Sequence, residues 1–356
     1  MTHTIFFRPV TQYENLGDLV INHELLKSLP KDSSIVIDGK GIPKWFMDDL
    51  VKGINIDEVI NDKKSYYKKI YSALSGNGKV VFLDVPGHVF YEIADRNGWL
   101  RYFKMKMLSL MGVKYVRLGV SLGPYGESAL KLEQRKGSVY HFTGVREEYS
   151  QAYLTANKIP QFQYFPDFGL CLEFKSNPKE KRELIGYSFR SGVTSSDAKS
   201  AEHTKKIVSD ITTAKSSLKL QPIVQVNLDA EYMSVLANEL NDSNEAVTFL
   251  EHDGELVMSA YQSCKYVISN RLHVLIFALS RGAFAIPYID RAKHTKVTGV
   301  FEDIGLGDMI FDIAGDTKFP EHLEQATRLY ESLDIEAIFR DKKSEINKLI
   351  NEKVFL

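Results

Sequence analysis

Asn270, Arg271 and His273 stand within the run Cys264–Ile289, and their side-chain types suit one kind of chemistry: holding an anion while a proton moves beside it. Arg271 offers a planar fork that binds carboxylate or phosphate through two hydrogen bonds. A neutral imidazole two residues on can give or take a proton near neutral pH. What flanks these residues places them. Cys264–Ile268 are apolar and β-branched enough for a buried strand. Val274–Leu279 continue as an apolar helix closed by Gly282, and Ala283–Ile289 read as the next parallel strand. Polar residues between a buried strand and the following helix lie at the carboxyl edge of a sheet, where open α/β folds bind ligands. The helix start adds unpaired N–H groups and a positive dipole end. Taken alone, an Arg-Leu-His also fits an Arg on a surface carboxylate and a His capping a helix.

The elements that must position these residues repeat one pattern along all 356 residues. Strands are predicted over Thr4–Phe7, Ser34–Asp38, Val80–Asp84, Tyr115–Val120 and Ser138–Phe142, with helices over Asp18–Leu29 and Glu147–Asn157. Lys175–Glu183, polar and charged around Pro178, reads as a linker. The pattern then restarts with strands Leu184–Phe189, Pro222–Val226 and Val247–Leu250, and helices Ser200–Lys215, Glu231–Leu240 and one from Glu255. Alternation of this kind argues for mostly parallel, doubly wound sheets. The expectation is an α/β chain of two Rossmann-like domains in a GT-B-like arrangement, with the active site in the interdomain cleft. Its parts are residues 1–174, residues 183–318 and a helical segment 319–356 that packs back on the first domain.

Composition sets outer limits. A net charge of −1 gives no global drive toward nucleic acid. Cys171 and Cys264 stand alone, without a CxxC or a Cys/His cluster, so neither a disulfide framework, a metal nor another cofactor is expected. No leader-like start and no membrane-length apolar window is apparent, and cytoplasmic residence is the default expectation.

Beyond the Arg-Leu-His, five further pieces follow in order: Asn15-Leu16-Gly17-Asp18, Ser121-Leu122-Gly123-Pro124, Val145-Arg146-Glu147-Glu148-Tyr149-Ser150, Pro166-Asp167, and Lys296-Val297-Thr298-Gly299 with Asp303-Ile304-Gly305-Leu306. Together they resemble the polysaccharide pyruvyl transferase family. The chain departs from the family's Tyr-Asp-x-Lys, reading Ile289-Asp290-Arg291-Ala292-Lys293-His294-Thr295-Lys296, so Lys293 and Lys296 both remain candidates for the family's lysine.

The resemblance implies transfer of the enolpyruvyl carbons of phosphoenolpyruvate (PEP) onto two hydroxyls of a sugar. A cyclic pyruvate ketal forms and phosphate leaves, in surface or exopolysaccharide biosynthesis. Such a reaction needs separated cations for phosphate and carboxylate, an acid for the methylene carbon and a base for the hydroxyls. His273, Asp18 and Lys296 are the catalytic candidates, and Arg271, Arg190, Asn270 and Lys293 the donor-binding ones. Arg190, followed by Ser191-Gly192, closes a strand of the second half and loosely resembles a second family arginine. Asn15, Gly17 and His88 are the acceptor-binding candidates. Asp18 equally suits a helix N-cap, and Arg146 a structural charge at a helix start.

Asn97–Met111 interleaves Trp99, Tyr102, Phe103, Met105, Leu108 and Leu110 with Arg101, Lys104 and Lys106. Such a segment reads as an amphipathic helix burying its apolar side. It also suits an anionic membrane surface, so peripheral contact at the inner face and a lipid-linked oligosaccharide acceptor are carried as partner expectations, and nucleic acid is not. Two other classes stay open: a GT-B glycosyltransferase using a nucleotide sugar, which would need a phosphate nest not evident here, and a noncatalytic saccharide-binding module.

Overall fold

The computed structural model describes residues 3–177, 182–190, 197–214, 218–241 and 244–355, without the side chains of 197–203. Part of the expected linker (178–181), the end of the helix expected at Ser200–Lys215, and Ser191-Gly192 lie outside the described residues. The chain divides into two compact units. The first comprises Met1–Tyr13, Asp18–Cys171 and Lys342–Leu356; the second comprises Glu14–Gly17 and Leu172–Asp341.

The first unit is built on strands β1 (His3–Phe7), β2 (Ser34–Asp38), β3 (Glu58–Ile60), β4 (Lys79–Leu83), β5 (Gly87–Val89), β6 (Lys114–Leu122), β7 (Tyr140–Val145) and β8 (Phe162–Tyr164). They run in the order β3-β2-β1-β4-β6-β7-β8, with β5 beside β6, and every pairing is parallel. Apolar residues pack on both faces, as parallel sheets require. Phe6, Val36, Val80 and Tyr115 meet Met105 and Leu108 of the helix Arg96–Leu110.

The second unit holds β9 (Leu184–Ser188), β10 (Lys219–Val224), β11 (Val247–Thr248), β12 (Cys264–Ser269), β13 (Phe284–Ile289) and β14 (Phe311–Asp312). Their order is β11-β10-β9-β12-β13-β14, again all parallel. The chain winds outward from β9 through β10 to β11, then returns to the other side of β9 with β12. The junction of β9 and β12 is therefore the point where the winding reverses, the usual ligand position in an open α/β sheet. Tyr187, Tyr261 and Tyr288 are fully buried nearby. The last two hydroxyls are satisfied by Gln225 Oε1 at 2.9 Å and Asp210 Oδ2 at 2.7 Å, so these rings keep their apolar burial without an orphaned hydroxyl.

The end of the chain forms two helices, Phe319–Ser332 and Ile335–Leu349, and a final π-helical turn, Ile350–Val354. Residues up to Asp341 group with the second unit, and those from Lys342 with the first.

Candidate active site

Four strand ends of the second sheet bring their loops to one edge. At the reversal point, Ser269 donates from Oγ to the Ser188 carbonyl at 2.5 Å and accepts the Arg271 N–H at 3.0 Å. One residue further, the Asn270 side chain accepts the Arg190 N–H at 2.8 Å and donates to the Arg190 carbonyl at 3.1 Å. That amide acts as a substitute strand residue. It extends the β9–β12 pairing beyond the last backbone rung and fixes where Arg190 leaves the sheet.

Arg271 sits at the N-cap of the helix Leu272–Ser280. Its guanidinium is already engaged: Nη2 donates to Asp229 Oδ1 at 2.5 Å, and Nε contacts the other carboxylate oxygen. Asp229 ends the turn Asn227–Asp229 after β10 and is buried, and burial raises its pKa even though Arg271 and Arg190 pull the other way. Removing either partner of such a pair leaves a poorly solvated charge, at a cost of about 3–5 kcal/mol. Arg271 thus arrives at the site held in place. With one carboxylate already on it, it offers less charge to a second anion than a lone Arg would.

His273 is the one position of the helix Leu272–Ser280 that is not buried. Its ring lies nearly parallel to Phe277, with centroids 6.0 Å apart. Opposite it runs the short segment Glu14–Gly17. This segment pairs with the residues after β10: Leu16 N–H to the Gln225 carbonyl at 3.2 Å, Asn227 N–H to the Glu14 carbonyl at 3.2 Å, and an antiparallel bridge between Asn15 and Val226. The Asn15 side chain accepts the Gly17 N–H at 2.9 Å, closing a local turn. A Cβ on Gly17 would fall 2.7 Å from His273 Nδ1, so glycine is what allows this backbone to lie against the imidazole. The sequence assigned Asn15 and Gly17 to the first domain along with Asp18. Their contacts belong to the second unit, and the chain changes units between Gly17 and Asp18.

After β13, Asp290 accepts the N–H groups of Ala292 and Lys293 and pairs with the Lys293 ammonium at 2.6 Å, leaving that lysine largely exposed. Lys296 lies on the first turn of the helix Thr295–Asp303 and is half-buried. Between them, His294 has its Nδ1 3.1 Å from the Asp290 carbonyl. Its pKa is lowered, first by burial and further by the charges of Lys296 and Arg190, although Asp290 opposes the shift. The same Arg190 charge acts on Asp229. Arg190 therefore stands within electrostatic reach of both Asp229 and His294, and with Asp229 set against Arg271 and Asp290 against Lys293, Arg190 and Lys296 leave this edge of the sheet with an excess of positive charge.

In the first unit, the Asp18 carboxylate accepts from Thr11 Oγ at 2.6 Å and the Gln12 N–H at 3.2 Å. The helix begins at Leu16 rather than Asp18, so the carboxylate braces the preceding loop instead of capping that helix. His88 has its Nε2 2.8 Å from the Gly123 carbonyl and stacks on Phe90. Arg146 is buried. It donates to Ser121 Oγ at 2.7 Å and Asp167 Oδ2 at 2.5 Å, while Glu147 accepts from Ser121 and Ser150. Three separated sequence motifs thus close one buried polar network with a structural role.

The family model for polysaccharide pyruvyl transferases matches residues 15–283, about three quarters of the sequence. The chain belongs to that family. No curated protein sequence matches this transferase. Among solved structures it is similar to Anabaena HepE in complex with UDP-glucose, at 11% identity and a TM-score of 0.60, with 99% of each chain covered. It is also similar to the UDP-GlcNAc 2-epimerase of Neisseria meningitidis bound to UDP-GlcNAc, at 10% identity and a TM-score of 0.52, covering 99% of this chain and 98% of that one. A third likeness is to a putative UDP-N-acetylglucosamine 2-epimerase of Listeria monocytogenes, at 9% identity and a TM-score of 0.53, with 97% and 90% covered. Identities this low establish the fold alone, two parallel-sheet α/β units of the GT-B class.

Two residues at this candidate site escaped the sequence reading. Asp229 lies a few residues past a buried strand, so its place in a strand-end loop was the available signal. His294 lies inside the run Lys293–Lys296, where two lysines drew attention away from the imidazole between them.

Proposed function

We propose that the chain transfers the enolpyruvyl carbons of PEP to two hydroxyls of a sugar, forming a cyclic pyruvate ketal and releasing phosphate, in the synthesis of a surface polysaccharide. The observation that carries this reading is the cationic edge at the winding reversal of the second sheet, where Asn270 ties down Arg190 and cations come from three different loops. A donor bearing a phosphate and a carboxylate needs cations held apart, and separate loops supply them. Arg190, with Lys296 beside His294, is assigned to one anionic group of the donor. Arg271, oriented by Asp229, is assigned to the other, with Asn270 between and Lys293 at the exposed rim.

Proton balance defines the remaining roles. Two hydroxyl protons are lost: one enters the methylene carbon, which becomes the methyl group, and the other leaves with phosphate. Protonation makes the adjacent carbon cation-like and open to both oxygens in turn. His273 is assigned the proton transfers because its ring sits at the helix mouth beside Arg271, held by the Gly17 turn. Lys296 is the second acid. Acceptor roles fall to Asn15, Gly17, Asp18 and His88.

Isotopic transfer tests the reading. Label in the carbon skeleton of PEP should appear in a sugar oligosaccharide as a ketal resolved by NMR, with one phosphate released per ketal. Turnover of a UDP-sugar in place of PEP would refute it and favour the nucleotide-sugar alternative.

A further inference from the structure

We propose that the helix Arg96–Leu110 docks the protein on an anionic lipid surface through its outward face. Seven of the fifteen large apolar side chains exposed among the described residues fall between Phe90 and Met111, so the exposure is concentrated rather than scattered. Leu100, Phe103, Met107 and Leu110 are 56%, 57%, 65% and 83% exposed, at spacings that place them on one side of the helix. At 3.6 residues per turn they occupy an arc of roughly 80°. The opposite side is already used, since Tyr102, Met105 and Leu108 are buried. The helix therefore carries two apolar faces, and the fold covers one.

Charge selects the occupant. Arg96, Arg101, Lys104 and Lys106 are the charged residues from Arg96 to Met111, and none is acidic. By helical geometry Lys104 and Lys106 flank the apolar arc, each about 40° beyond an edge. Arg101 is turned to Asp84 at 3.1 Å, and the Lys104 ammonium rests 4.1 Å from the Tyr67 ring centre. An apolar strip bordered by cations suits a helix lying in the plane of a membrane, with its side chains in the acyl boundary and its lysines at anionic headgroups. The same charge disfavours a second copy. A two-fold contact through this face would bring Arg96, Lys104 and Lys106 of one helix near those of the other, with no acid in either helix to pair them. The helix has 15 residues, too few to cross a bilayer, and no described helix is long and apolar enough to do so.

The test is flotation of the full chain with vesicles of phosphatidylcholine alone and of an equal mixture with phosphatidylglycerol. The protein should float with the mixed vesicles and not with the neutral ones. The Phe103→Ser/Met107→Ser double variant, changed only at exposed positions, should lose about tenfold in vesicle binding while keeping its thermal stability. Leu228→Ser, at a still more exposed site in the second unit, should bind as the wild type does. No flotation of the wild type with mixed vesicles, or equal flotation of the double variant, would overturn the proposal. So would a concentration-dependent dimer that the double variant abolishes, since that assigns the face to a second copy.

Discussion

Adding one methyl group at Gly17 probes how the imidazole is held. An alanine Cβ there meets His273 Nδ1 at 2.7 Å, His273 Cβ at 3.0 Å and Asn15 Oδ1 at 3.0 Å. Carbon and nitrogen do not rest that close, so either the ring turns away or the Glu14–Gly17 segment lifts from residues 225–227. Overpacking of this kind costs about 1–3 kcal/mol. In a unit of this size, each kcal/mol lowers the melting temperature by about 2–4 °C. If the ring is what yields, turnover should fall by about 10²–10⁴, the range for a misplaced acid or base. PEP affinity should change less, because Arg190 and Asn270 are untouched. A double-mutant cycle with His273→Ala isolates the contact. Removing the imidazole relieves the shortest approach and leaves those near 3.0 Å, so Gly17→Ala should cost less stability in that background, with a coupling of about 0.5–3 kcal/mol. It should then reduce turnover no further. The assays are urea unfolding and phosphate release from PEP with an acceptor present. Wild-type turnover and stability in Gly17→Ala would refute the close packing, and strictly additive losses would refute an action through His273.

His273→Ala itself should fold normally and lose about 10²–10⁴ in turnover, so near-normal turnover in the folded variant removes the proton-transfer role. Arg190→Ala and Arg271→Ala should each weaken PEP binding by about 1.5–3 kcal/mol in calorimetry, and unchanged affinity strikes that residue from the donor site. His294 has a depressed folded pKa, chiefly from burial. Its contribution to stability is therefore complete above its usual value near 6.5 and fades as pH falls through the folded pKa. His294→Gln should flatten urea midpoints across that window, and an unchanged pH profile would contradict the assignment. Asp18→Asn should keep PEP affinity and lose most ketal formation. Normal transfer would limit Asp18 to bracing Thr11 and Gln12.

Local pattern carried much of this site, and long-range pairing carried the rest. Cys264–Ser269 and Phe284–Ile289 were legible because buried parallel strands are continuous apolar runs, and Asn270, Arg271 and His273 had to follow the first of them. The pairing of Arg271 with Asp229 joins residues 42 apart in sequence, and no periodicity reports it. The destination of Glu14–Gly17 was also hidden. A turn between a strand and a helix looks local, and nothing in its composition announces pairing with Gln225 and Asn227. Lys293 and Lys296 could not be told apart by spacing, whereas burial and the salt bridge from Asp290 separate them. The bend that divides 319–356 into two helices falls at Leu333-Asp334, where neither Gly nor Pro marks a break.

The Asn270 amide gives one hydrogen bond to Arg190 and takes another from it. Aspartate could not donate, serine could not span the gap, and glutamine would push the far chain outward by a methylene. Residues 190 and 270, eighty positions apart, therefore travel as a single part. Anyone grafting the loop after β9 from a relative would have to bring the loop after β12 with it. A library that randomises one while fixing the other would sample mostly unzipped sheet ends.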